Sequence, residues 1–378
     1  MSDFNRRDVL GAAAATAVGL LAATGGAEAA GDESQQELPP FRFAMEQQKG
    51  RVTEGGSAKE ATVKQLPISK GIAGVSMRLK PGGLRELHWH ANAAEWAFMI
   101  KGRVRTTVIG PDGYAETNDF EPGDVWYFPR GHGHALVGLG PEESHFVLVF
   151  DNGAFSEHGT FSITDWLGHT PPAVLAKCLG LPESAFAKFP KDELYIPQGR
   201  VPPEQPDPPR QGKLKLSPQT HRYALMTQPP SARLPGGEER RVSAKEFPIS
   251  TTITGVILDL KPGAIREPHW HPHANEWLYI VAGRARITLF GSGGRARTEE
   301  FGPGDAGYIP QGFGHYLENI GDVPCRVLVA FDSGEYQEIS LSAWLASNPT
   351  RLVADNFKIS DEVAAKLPDH RIFIAAKR

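Results

Sequence analysis

Short runs of apolar residues that alternate with polar ones recur along this chain of 378 residues. Residues 95–109 and 276–290 are rich in Val, Ile, Phe, Trp and Thr, and Gly-containing turns follow them at 111–113 and 291–294. β-branched and aromatic residues bounded by such turns predict strands. Many short strands at this spacing favour an all-β sandwich or barrel over any βαβ layout.

Helical spacing of apolar residues is confined to a few segments, which are residues 162–167, 172–179, 340–346 and 360–367. Apolar positions three and four residues apart lie on one face of a helix. Because these segments fall towards the end of each half of the chain, we predict a few peripheral helices beside a β core.

The chain repeats itself at one fixed distance. Leu-Lys-Pro-Gly at 79–82 returns at 260–263, and Arg-Glu-x-His-Trp-His at 85–90 returns at 266–271. Glu-Trp at 95–96 returns at 276–277, and His134 returns as His315, always 181 residues later. A constant offset across this length indicates a duplicated domain with almost no insertion in its core.

The Pro-rich stretch between the copies completes the predicted organisation. Residues 197–209 contain six Pro and almost no apolar side chains, which indicates a stiff, extended linker. We therefore expect a signal peptide at 1–29, an N-terminal domain at 41–196, a linker at 197–220 and a C-terminal domain at 221–378.

Composition excludes some classes of protein. The formal net charge of -4 argues against nucleic acid as a partner, because nucleic-acid binding demands a basic surplus. Cys178 and Cys325 are too few for a disulfide framework or a thiolate metal site. A single bridge between them and two free thiols both remain open.

The N-terminus has the features of an export signal. Arg6 and Arg7 precede an uncharged, Ala-rich run at 11–24, and Ala-Glu-Ala at 27–29 fits a small-x-small cleavage site. The apolar run is shorter than the roughly 20 residues that span a bilayer. The twin arginine is typical of a Tat signal. We expect export by the Tat pathway to the periplasm or beyond, and no membrane attachment after the signal is removed.

The chemistry of the chain is concentrated on its repeated histidines. In a strand, residues i and i+2 point to the same face, so each His-Trp-His directs two imidazoles into one interior. A Glu that opens the next strand and a His from a later strand complete each set. Buried imidazoles and a carboxylate that converge are costly unless they share a proton or a cation. The predicted metal ligands are His88, His90, Glu95 and His134 in the first half, and His269, His271, Glu276 and His315 in the second.

These motifs resemble those of the cupins. The first half carries Gly82…His88-x-His90-x4-Glu95-x6-Gly102 and Gly123-x5-Pro129-x-Gly131-x-x-His134, and the second half repeats both motifs 181 residues later. The chain is therefore similar to a bicupin, and its His-Trp-His and Glu-Trp contexts look most like oxalate decarboxylases. The resemblance implies two tandem double-stranded β-helix (jelly-roll) barrels, and it covers about residue 41 to the C-terminus. Bicupins often assemble into homo-oligomers, so we expect a trimer or a hexamer.

Ligand chemistry leaves the metal open. Three neutral imidazoles and one carboxylate leave a divalent ion with net charge near +1 and, in an octahedron, two free positions. Mn(II), Fe(II), Ni(II), Cu(II) and Zn(II) all accept this set, and raw affinity favours copper or zinc. The resemblance implies manganese, one ion per domain. Export of the folded protein would allow the metal to be chosen in the cytoplasm.

Two arginines are the expected partners of an anionic substrate. Arg85 and Arg266 each lie three residues before the first ligand, and a twisted or bulged strand would bring the guanidinium towards the metal. A planar guanidinium suits a carboxylate. The alternative is a surface arginine paired with the adjacent Glu86 or Glu267. Oxalate decarboxylases carry an arginine here, and the resemblance implies that it polarises the substrate.

The two halves differ after their last ligand. The family has a mobile lid with the pattern Ser-Glu-x-x-Thr, which Ser156, Glu157 and Thr160 match, whereas His158 and Gly159 depart from the usual Asn and Ser. The resemblance implies proton transfer by the lid glutamate, and a tyrosine, here Tyr195, that holds the closed lid through the threonine. The second half has no such lid, and Val329 replaces a glutamate found in some members. We expect catalysis at the first site.

The resemblance implies conversion of oxalate to formate and CO2 by an O2-dependent radical mechanism. In it, Glu157 takes up a proton and returns it, and Arg85 stabilises the developing charge. Two alternatives remain. Oxalate oxidase would give CO2 and H2O2 from the same ligands, and a non-catalytic exported protein would only bind manganese. An assay of formate against peroxide distinguishes them.

Overall fold

The computed structural model describes residues 37–210 and 215–377. The predicted signal peptide at 1–29 lies outside the described residues. In the part of the chain that is described, no helix is long and apolar enough to cross a membrane.

The chain before the Pro-rich stretch contains twelve described strands. They are β1 (Arg42–Phe43), β2 (Arg51–Val52), β3 (Gly56–Ala61), β4 (Ala73–Leu79), β5 (Leu84–His90), β6 (Glu95–Lys101), β7 (Val104–Ile109), β8 (Tyr114–Phe120), β9 (Val125–Phe128), β10 (Gly133–Gly138), β11 (Ser144–Phe150) and β12 (Thr160–Ser162). The run predicted at 95–109 is thus the hairpin β6–β7, which turns at Gly102 with a positive φ of 72°.

The remaining strands follow the same plan. They are β13 (Lys215–Leu216), β14 (Arg222–Tyr223), β15 (Ala232–Leu234), β16 (Gly237–Val242), β17 (Thr254–Leu260), β18 (Ile265–Trp270), β19 (Glu276–Ala282), β20 (Ala285–Phe290), β21 (Ala296–Phe301), β22 (Ala306–Ile309), β23 (Gly314–Asn319), β24 (Cys325–Phe331), β25 (Ile339–Ser340) and β26 (Ile374–Ala375). The hairpin β19–β20 is the counterpart of β6–β7.

The helices are short and peripheral, as the sequence predicts. The α-helices are α1 (Phe155–His158), α2 (Ile163–Gly168), α3 (Pro172–Leu179), α4 (Leu341–Ala346), α5 (Thr350–Phe357) and α6 (Asp361–Ala364). Short 3-10 helices occupy Met45–Gln47, Pro111–Gly113, Glu183–Lys188 and Leu225–Thr227. The sequence prediction missed α5, which α6 follows directly.

Each half is a pair of facing sheets, which confirms the predicted jelly-roll class. The first half has the sheets β14-β9-β6-β11-β4-β3-β2 and β12-β5-β10-β7-β8-β13. The second has β1-β22-β19-β24-β17-β16-β15 and β21-β20-β23-β18-β25, with β26 on β18. In the described residues, hydrogen bonds do not join the two sheets of a half into one closed barrel. The apolar core lies between the sheets because one face of each strand is buried.

The two halves exchange their first strands. β1 pairs with β22 of the second half, and β14 pairs with β9 of the first half. The parallel strand β13 also joins the first half, on β8. The strands just after the Pro-rich stretch, β13 and β14, therefore pair with the first half, and the predicted boundary at residue 221 falls between them.

Two buried tryptophans also make reciprocal contacts between the halves, since each half packs one indole ring against a glycine of the other. A Cβ atom at Gly74 would lie 2.1 Å from the Trp277 ring, and one at Gly255 would lie 2.2 Å from the Trp96 ring. Both indoles are fully buried in a core that both halves share. Glycine is needed at both positions because the ring of the other half occupies the space of a side chain.

The described part of the Pro-rich stretch lies against the first half. The Arg105 guanidinium donates to the carbonyl oxygens of Pro203 and Glu204 at 2.9 and 2.8 Å. A bridge also pairs Gly83 with Gln198. These contacts hold the described part of the stretch against the first half.

Candidate metal centres and catalytic cavity

The ligand histidines come from one sheet of each half and the glutamate from the other. β5 provides His88 and His90, and β10 places His134 directly opposite His88. Glu95 opens β6 in the facing sheet. The second half repeats this arrangement, with His269 opposite His315 and Glu276 at the start of β19. The ligands therefore converge because the two packed sheets of each half direct these side chains towards each other.

Each set of four closes around a single point. One ligand atom from every member lies within 4.8 Å of the others, and all eight residues are buried. The Nε2 atoms of His90 and His134 lie 3.2 and 3.4 Å from Glu95 Oε2. The matching distances at Glu276 are both 3.1 Å. The structure thus brings together the eight ligands that the sequence predicts.

The hydrogen bonds of the rings suit a metal ion. Nδ1 of His88 and of His134 faces a backbone carbonyl, of Glu86 at 2.6 Å and of His132 at 2.9 Å. An Nδ1–H that donates to a carbonyl leaves the Nε2 lone pair free for a cation. The buried Nε2 atoms without a hydrogen-bond partner include those of His90, His134, His271 and His315. Because buried polar atoms are normally paired, this donor set fits a cation at each centre.

The electrostatics favour the protonation states that a metal needs. Burial raises the pKa of Glu95, but His134 and His90 outweigh it and bring that pKa well below its usual range. Burial lowers the pKa of His90 to about 4 and the pKa of His88 well below the usual histidine value. Neutral imidazoles and an ionised carboxylate are the ligand forms of these side chains.

A bulge brings each arginine into its site. Residues three apart on a regular strand face opposite sides, yet both Arg85 and His88 line the same cavity. The pairing with β10 passes from His134↔His88 to Leu136↔Arg85, so β5 has an extra residue there. β18 has the same shift between Arg266 and His269.

This geometry excludes the surface alternative for Arg85. The side chain is 3% exposed, and its Nη1 donates to the carbonyl oxygen of Tyr195 at 3.2 Å. The adjacent Glu86 instead accepts from the Tyr195 backbone N–H at 2.7 Å and from the Thr164 hydroxyl. Glu193 is the ion-pair partner of Arg85, at 3.8 Å.

The first site opens into a cavity of about 200 Å³. Its inner wall is apolar, and Arg85, His88 and His90 lie beside that wall. Because a water molecule needs roughly 10–15 Å³ of such space, the cavity holds a small ligand together with several waters. The apolar lining consists of Val75, Met77, Leu136, Leu148, Phe150 and Phe155.

Residues 155–161, which we call the lid segment, form the rim of this cavity. Phe155, Ser156 and Thr160 line it, and the Thr160 hydroxyl lies 2.9 Å from Nδ1 of the ligand His90. Helix α1 carries the backbone of Glu157, whose side chain lies outside the described part of the structure. Its predicted role in proton transfer stays a prediction.

The departure of Gly159 from the family pattern has a steric reason. A Cβ atom at Gly159 would lie 2.0 Å from Oδ1 of Asn92, which is in the turn between β5 and β6. The Gly159 carbonyl also accepts from the Ala91 N–H at 2.7 Å. A side chain at 159 would therefore displace Asn92 from its place beside the lid segment.

Tyr195 lines the cavity and adopts a positive φ of 64°. Its ring lies between two guanidinium groups, with Cζ of Arg51 3.8 Å and Cζ of Arg85 4.5 Å from the ring centroid. Burial raises the pKa of Tyr195 to about 12. In the described contacts Tyr195 forms hydrogen bonds with Arg85 and Glu86, and Thr160 forms one with His90. The predicted contact between Tyr195 and the threonine stays a prediction.

The sequence analysis missed three groups that complete the first site. Glu60 of β3 lines the cavity together with Ser156, and burial raises the pKa of Glu60. Arg51 lines the cavity next to Tyr195. The Trp126 indole donates to Glu95 Oε1 at 2.8 Å and so orients the ligand carboxylate. The repeat gives no signal for these three groups, because the residues 181 positions later are different in kind, namely Ala232, Arg241 and Gly307.

The second site is much smaller. Its cavity measures about 30 Å³, room for about two waters at roughly 10–15 Å³ each. Gly307 takes the place of Trp126, so no indole donates to Glu276 from that position. Glu239 of β16 lines this cavity and is buried, whereas Ala58 stands at the same offset in the first half. Val329 also lines it, and its apolar side chain cannot transfer a proton.

The segment that follows the core strands is three residues shorter in the second half. Phe155 and Tyr336 correspond at an offset of 181, because each ring centroid lies 5.7 Å from a ligand histidine, His90 or His271. The strands that follow, β12 and β25, correspond at an offset of 178 residues, because Ser162 pairs with His88 and Ser340 pairs with His269. The shorter segment, all of whose residues are described, contains no helix equivalent to α1.

The short segment places a carboxylate on Arg266. The Glu338 side chain is 6% exposed and forms ion pairs with both Arg266 and Arg371. The Tyr336 hydroxyl donates to the same carboxylate, and the Gln337 carbonyl accepts from His271 Nδ1 at 2.8 Å. The sequence analysis did not single out Glu338. Cys178 is exposed and Cys325 is buried, and both are free thiols.

Comparison with known proteins agrees with this architecture. The Cupin family model matches residues 44–185 and 223–365. Oxalate decarboxylase OxdC of Bacillus subtilis (strain 168) is 40% identical over 338 residues, or 89% of this chain and 87% of that protein. A probable oxalate decarboxylase of Arthroderma benhamiae is 35% identical over 343 residues, or 90% of this chain and 84% of that protein.

Solved structures give the same result. A structure of the Bacillus subtilis oxalate decarboxylase at pH 4.6 has a TM-score of 0.84 at 38% identity and covers 92% of this chain and 90% of its own. Another structure of that enzyme, with a TM-score of 0.84 at 38% identity over 92% and 91% of the chains, concerns its Mn(II) centres. The paired sheets and the two three-histidine, one-glutamate sites define a bicupin, and the chain belongs to the cupin family. Within that family, it belongs to the oxalate decarboxylases.

Proposed function

We propose that this chain is an oxalate decarboxylase, a carboxy-lyase that converts oxalate to formate and CO2 at its first site. The observation that carries the proposal is the meeting of Arg85 with His88, His90 and Glu95 in one cavity of about 200 Å³, beneath the lid segment. The identity of 40% to a Bacillus subtilis oxalate decarboxylase supports the same assignment.

Substrate binding follows from the charge and shape of the cavity. A small dicarboxylate presents a planar carboxylate that the Arg85 guanidinium can bind through two parallel hydrogen bonds. Arg85 is held in place by the Tyr195 carbonyl and by the Tyr195 ring, so little conformational entropy is lost when it binds substrate. The apolar wall excludes water from the bond that breaks, which strengthens the electrostatic effect of Arg85.

The reaction needs one proton to be held and then returned. Oxalate monoanion loses CO2 when its C–C bond breaks, and the remaining carbon takes up a proton to become formate, so the overall reaction is redox-neutral. Glu157 acts as the base that removes the carboxyl proton and then as the acid that protonates carbon. The Thr160 hydroxyl fixes one side of the lid segment through His90, and Ser156 on the other side faces the cavity that Glu60 also lines.

We propose manganese as the ion held by His88, His90, Glu95 and His134, and a second manganese at the matching residues of the other half. When bound, a divalent ion of this kind supplies positive charge for the carboxylate and access to one-electron chemistry. The Mn(II) centres of the Bacillus subtilis relative support manganese. We also propose that O2 is required as a co-catalyst without being consumed overall.

The proposal is tested by incubating manganese-loaded protein with oxalate, with and without O2, and measuring formate and H2O2. We expect one formate for each oxalate consumed, little peroxide, and no turnover without O2. Peroxide in place of formate would identify an oxalate oxidase. Absence of both products, with two manganese ions bound, would identify a metal-binding protein without this activity.

We propose that the protein is exported by the Tat pathway and acts in the periplasm or outside the cell. The support is the twin arginine, the Ala-rich run and the cleavage motif of residues 1–29. Deletion of the signal should retain the protein in the cytoplasm, and replacement of both Arg6 and Arg7 by Lys should do the same. Export that survives this double replacement would contradict the Tat assignment.

We also propose that the protein assembles into a trimer or hexamer. Large apolar side chains are exposed on the helices of both halves, with Trp166 at 62% and Trp344 at 56%. Leu179 of α3 and Leu352 of α5 are also exposed, each on the helix that follows the tryptophan's helix along the chain. Apolar patches of this kind mark protein interfaces. Light scattering should give three or six times the mass of the chain, and Trp166→Asp with Trp344→Asp should lower it. A monomeric mass would contradict the proposal.

A further inference from the structure

The shortened segment of the second half ends in a carboxylate whose two oxygens are both paired within the protein. Glu338 has a side chain 6% exposed, and one of its oxygens meets both Arg266 and Tyr336 while the other meets Arg371. Burial alone would raise the pKa of Glu338, but Arg266, Tyr336 and Arg371 together lower it. The carboxylate is therefore ionised and fully paired.

Glu338 and its partner Arg266 line two different cavities. On the inner side lies the cavity of about 30 Å³, which Arg266 and Tyr336 line together with the metal ligands. On the outer side lies a cavity of about 240 Å³, which Glu338 and Arg371 line together with Trp344. Arg266 lines only the inner space, and Glu338 lines only the outer one. The ion pair Arg266–Glu338 thus joins a residue that lines the inner cavity to a residue that lines the outer one.

The first half shows what the same arginine does without such a partner. Glu193, the ion-pair partner of Arg85, is 3.8 Å away with a side chain 30% exposed, so it leaves Arg85 lining an open cavity. Thr160, which is smaller and uncharged, stands at the register position of Glu338, opposite the second histidine of the His-Trp-His motif. The difference follows from the three missing residues, because the short segment holds its glutamate against the bulged strand.

We propose that Glu338 is a built-in ligand of the second site: its carboxylate occupies the position on Arg266 that a substrate carboxylate takes on Arg85, so that the second site is a latent carboxylate site closed to small dicarboxylates. The proposal rests on the proposed function of the first site for the class of ligand. Glu239, which lines the inner cavity, adds a second acidic group against an entering anion.

The experiment counts oxalate molecules bound per chain without turnover, by equilibrium dialysis of manganese-loaded protein against labelled oxalate in the absence of O2. Wild-type protein should bind one oxalate per chain. Glu338→Ala should bind two, and Glu338→Thr, which copies the residue of the first half, should do the same. Glu335→Ala is the matched control, because Glu335 lies exposed on the same segment, and it should bind one.

Two results would overturn the proposal. Two oxalates bound by the wild type would mean that the second site is already open, and this arm needs no variant to fold. One oxalate bound by folded Glu338→Ala and Glu338→Thr that retain two manganese ions would mean that Glu338 does not close it. The proposed function fails in a different way, since wild type would then bind none. In that event, one oxalate bound by Glu338→Ala would still support the built-in ligand, and none would contradict both proposals.

Discussion

Arg85 and Arg266 occupy the same place on bulged strands, three residues before the same ligand set, and yet they meet different surroundings. Arg85 faces a cavity of about 200 Å³ beneath a segment that contains the helix α1. Arg266 is paired with Glu338 beside a cavity of about 30 Å³. The two metal centres are alike, whereas a loop that is three residues shorter places the Glu338 carboxylate on Arg266 in the second half alone.

The largest expected effect comes from the glutamates of the two loops. Glu157→Gln should lower formate production by about 100-fold or more, the usual range for loss of a general acid–base group. Glu338→Gln should leave formate production within about twofold, because Glu338 does not face the reacting site and general acid–base catalysis there does not involve it. Formate assays on both proteins, each with its metal content measured, check this. Equal losses would mean that the two halves act together.

The arginines give the next largest difference. Arg85→Lys should lower kcat/KM for oxalate by about 100-fold, since an ammonium cannot replace the planar fork on a developing charge. Arg266→Lys should change kcat/KM by less than about threefold, because Arg266 is paired with Glu338 and does not bind the reacting oxalate, so the loss of its planar fork has little effect. A kcat/KM for Arg266→Lys as low as that of Arg85→Lys would show that the second site also handles substrate.

A smaller effect is expected from the indole that only the first site has. Trp126→Phe removes the donor to Glu95 and should weaken the first metal about 10-fold, the lower range for loss of such an outer contact. The affinity of the second site for its metal should be unchanged, because that half has Gly307 in place of the tryptophan. Metal retained against a graded series of chelator concentrations measures both ions. Equal weakening of both would point to a general loss of stability.

The smallest effect concerns Glu60, which lines the cavity with Ser156 of the lid segment. Glu60→Gln keeps the shape of the side chain but weakens its polar interaction with the lid segment, and a loss of about 1 kcal/mol corresponds to roughly a fivefold fall in kcat. KM should change less, because Glu60 positions the segment and does not bind substrate. A change confined to KM would assign Glu60 to substrate binding.

The sequence predicted what is periodic or repeated, namely the β class, the strand-rich runs at 95–109 and 276–290 and both ligand sets. It also predicted that Arg85 and Arg266 approach the metal ligands. The reason was that an arginine three residues before a ligand reaches the same side of a strand only if the strand is twisted or bulged. It missed Trp126, Glu60 and Glu338, whose roles depend on contacts with residues far away in the chain. It also missed the strand exchange, since β1 and β14 have two residues each and no pattern of their own.

The most direct test of the difference between the two halves is to weaken one metal centre at a time and measure formate. Glu95→Gln and Glu276→Gln make the same isosteric change, and each should leave about one tightly bound metal ion per chain. We expect Glu95→Gln to lose formate production by about 100-fold or more and Glu276→Gln to keep at least about a third of it. Comparable losses in both variants, with the other centre still filled, would contradict the account of one open and one closed site.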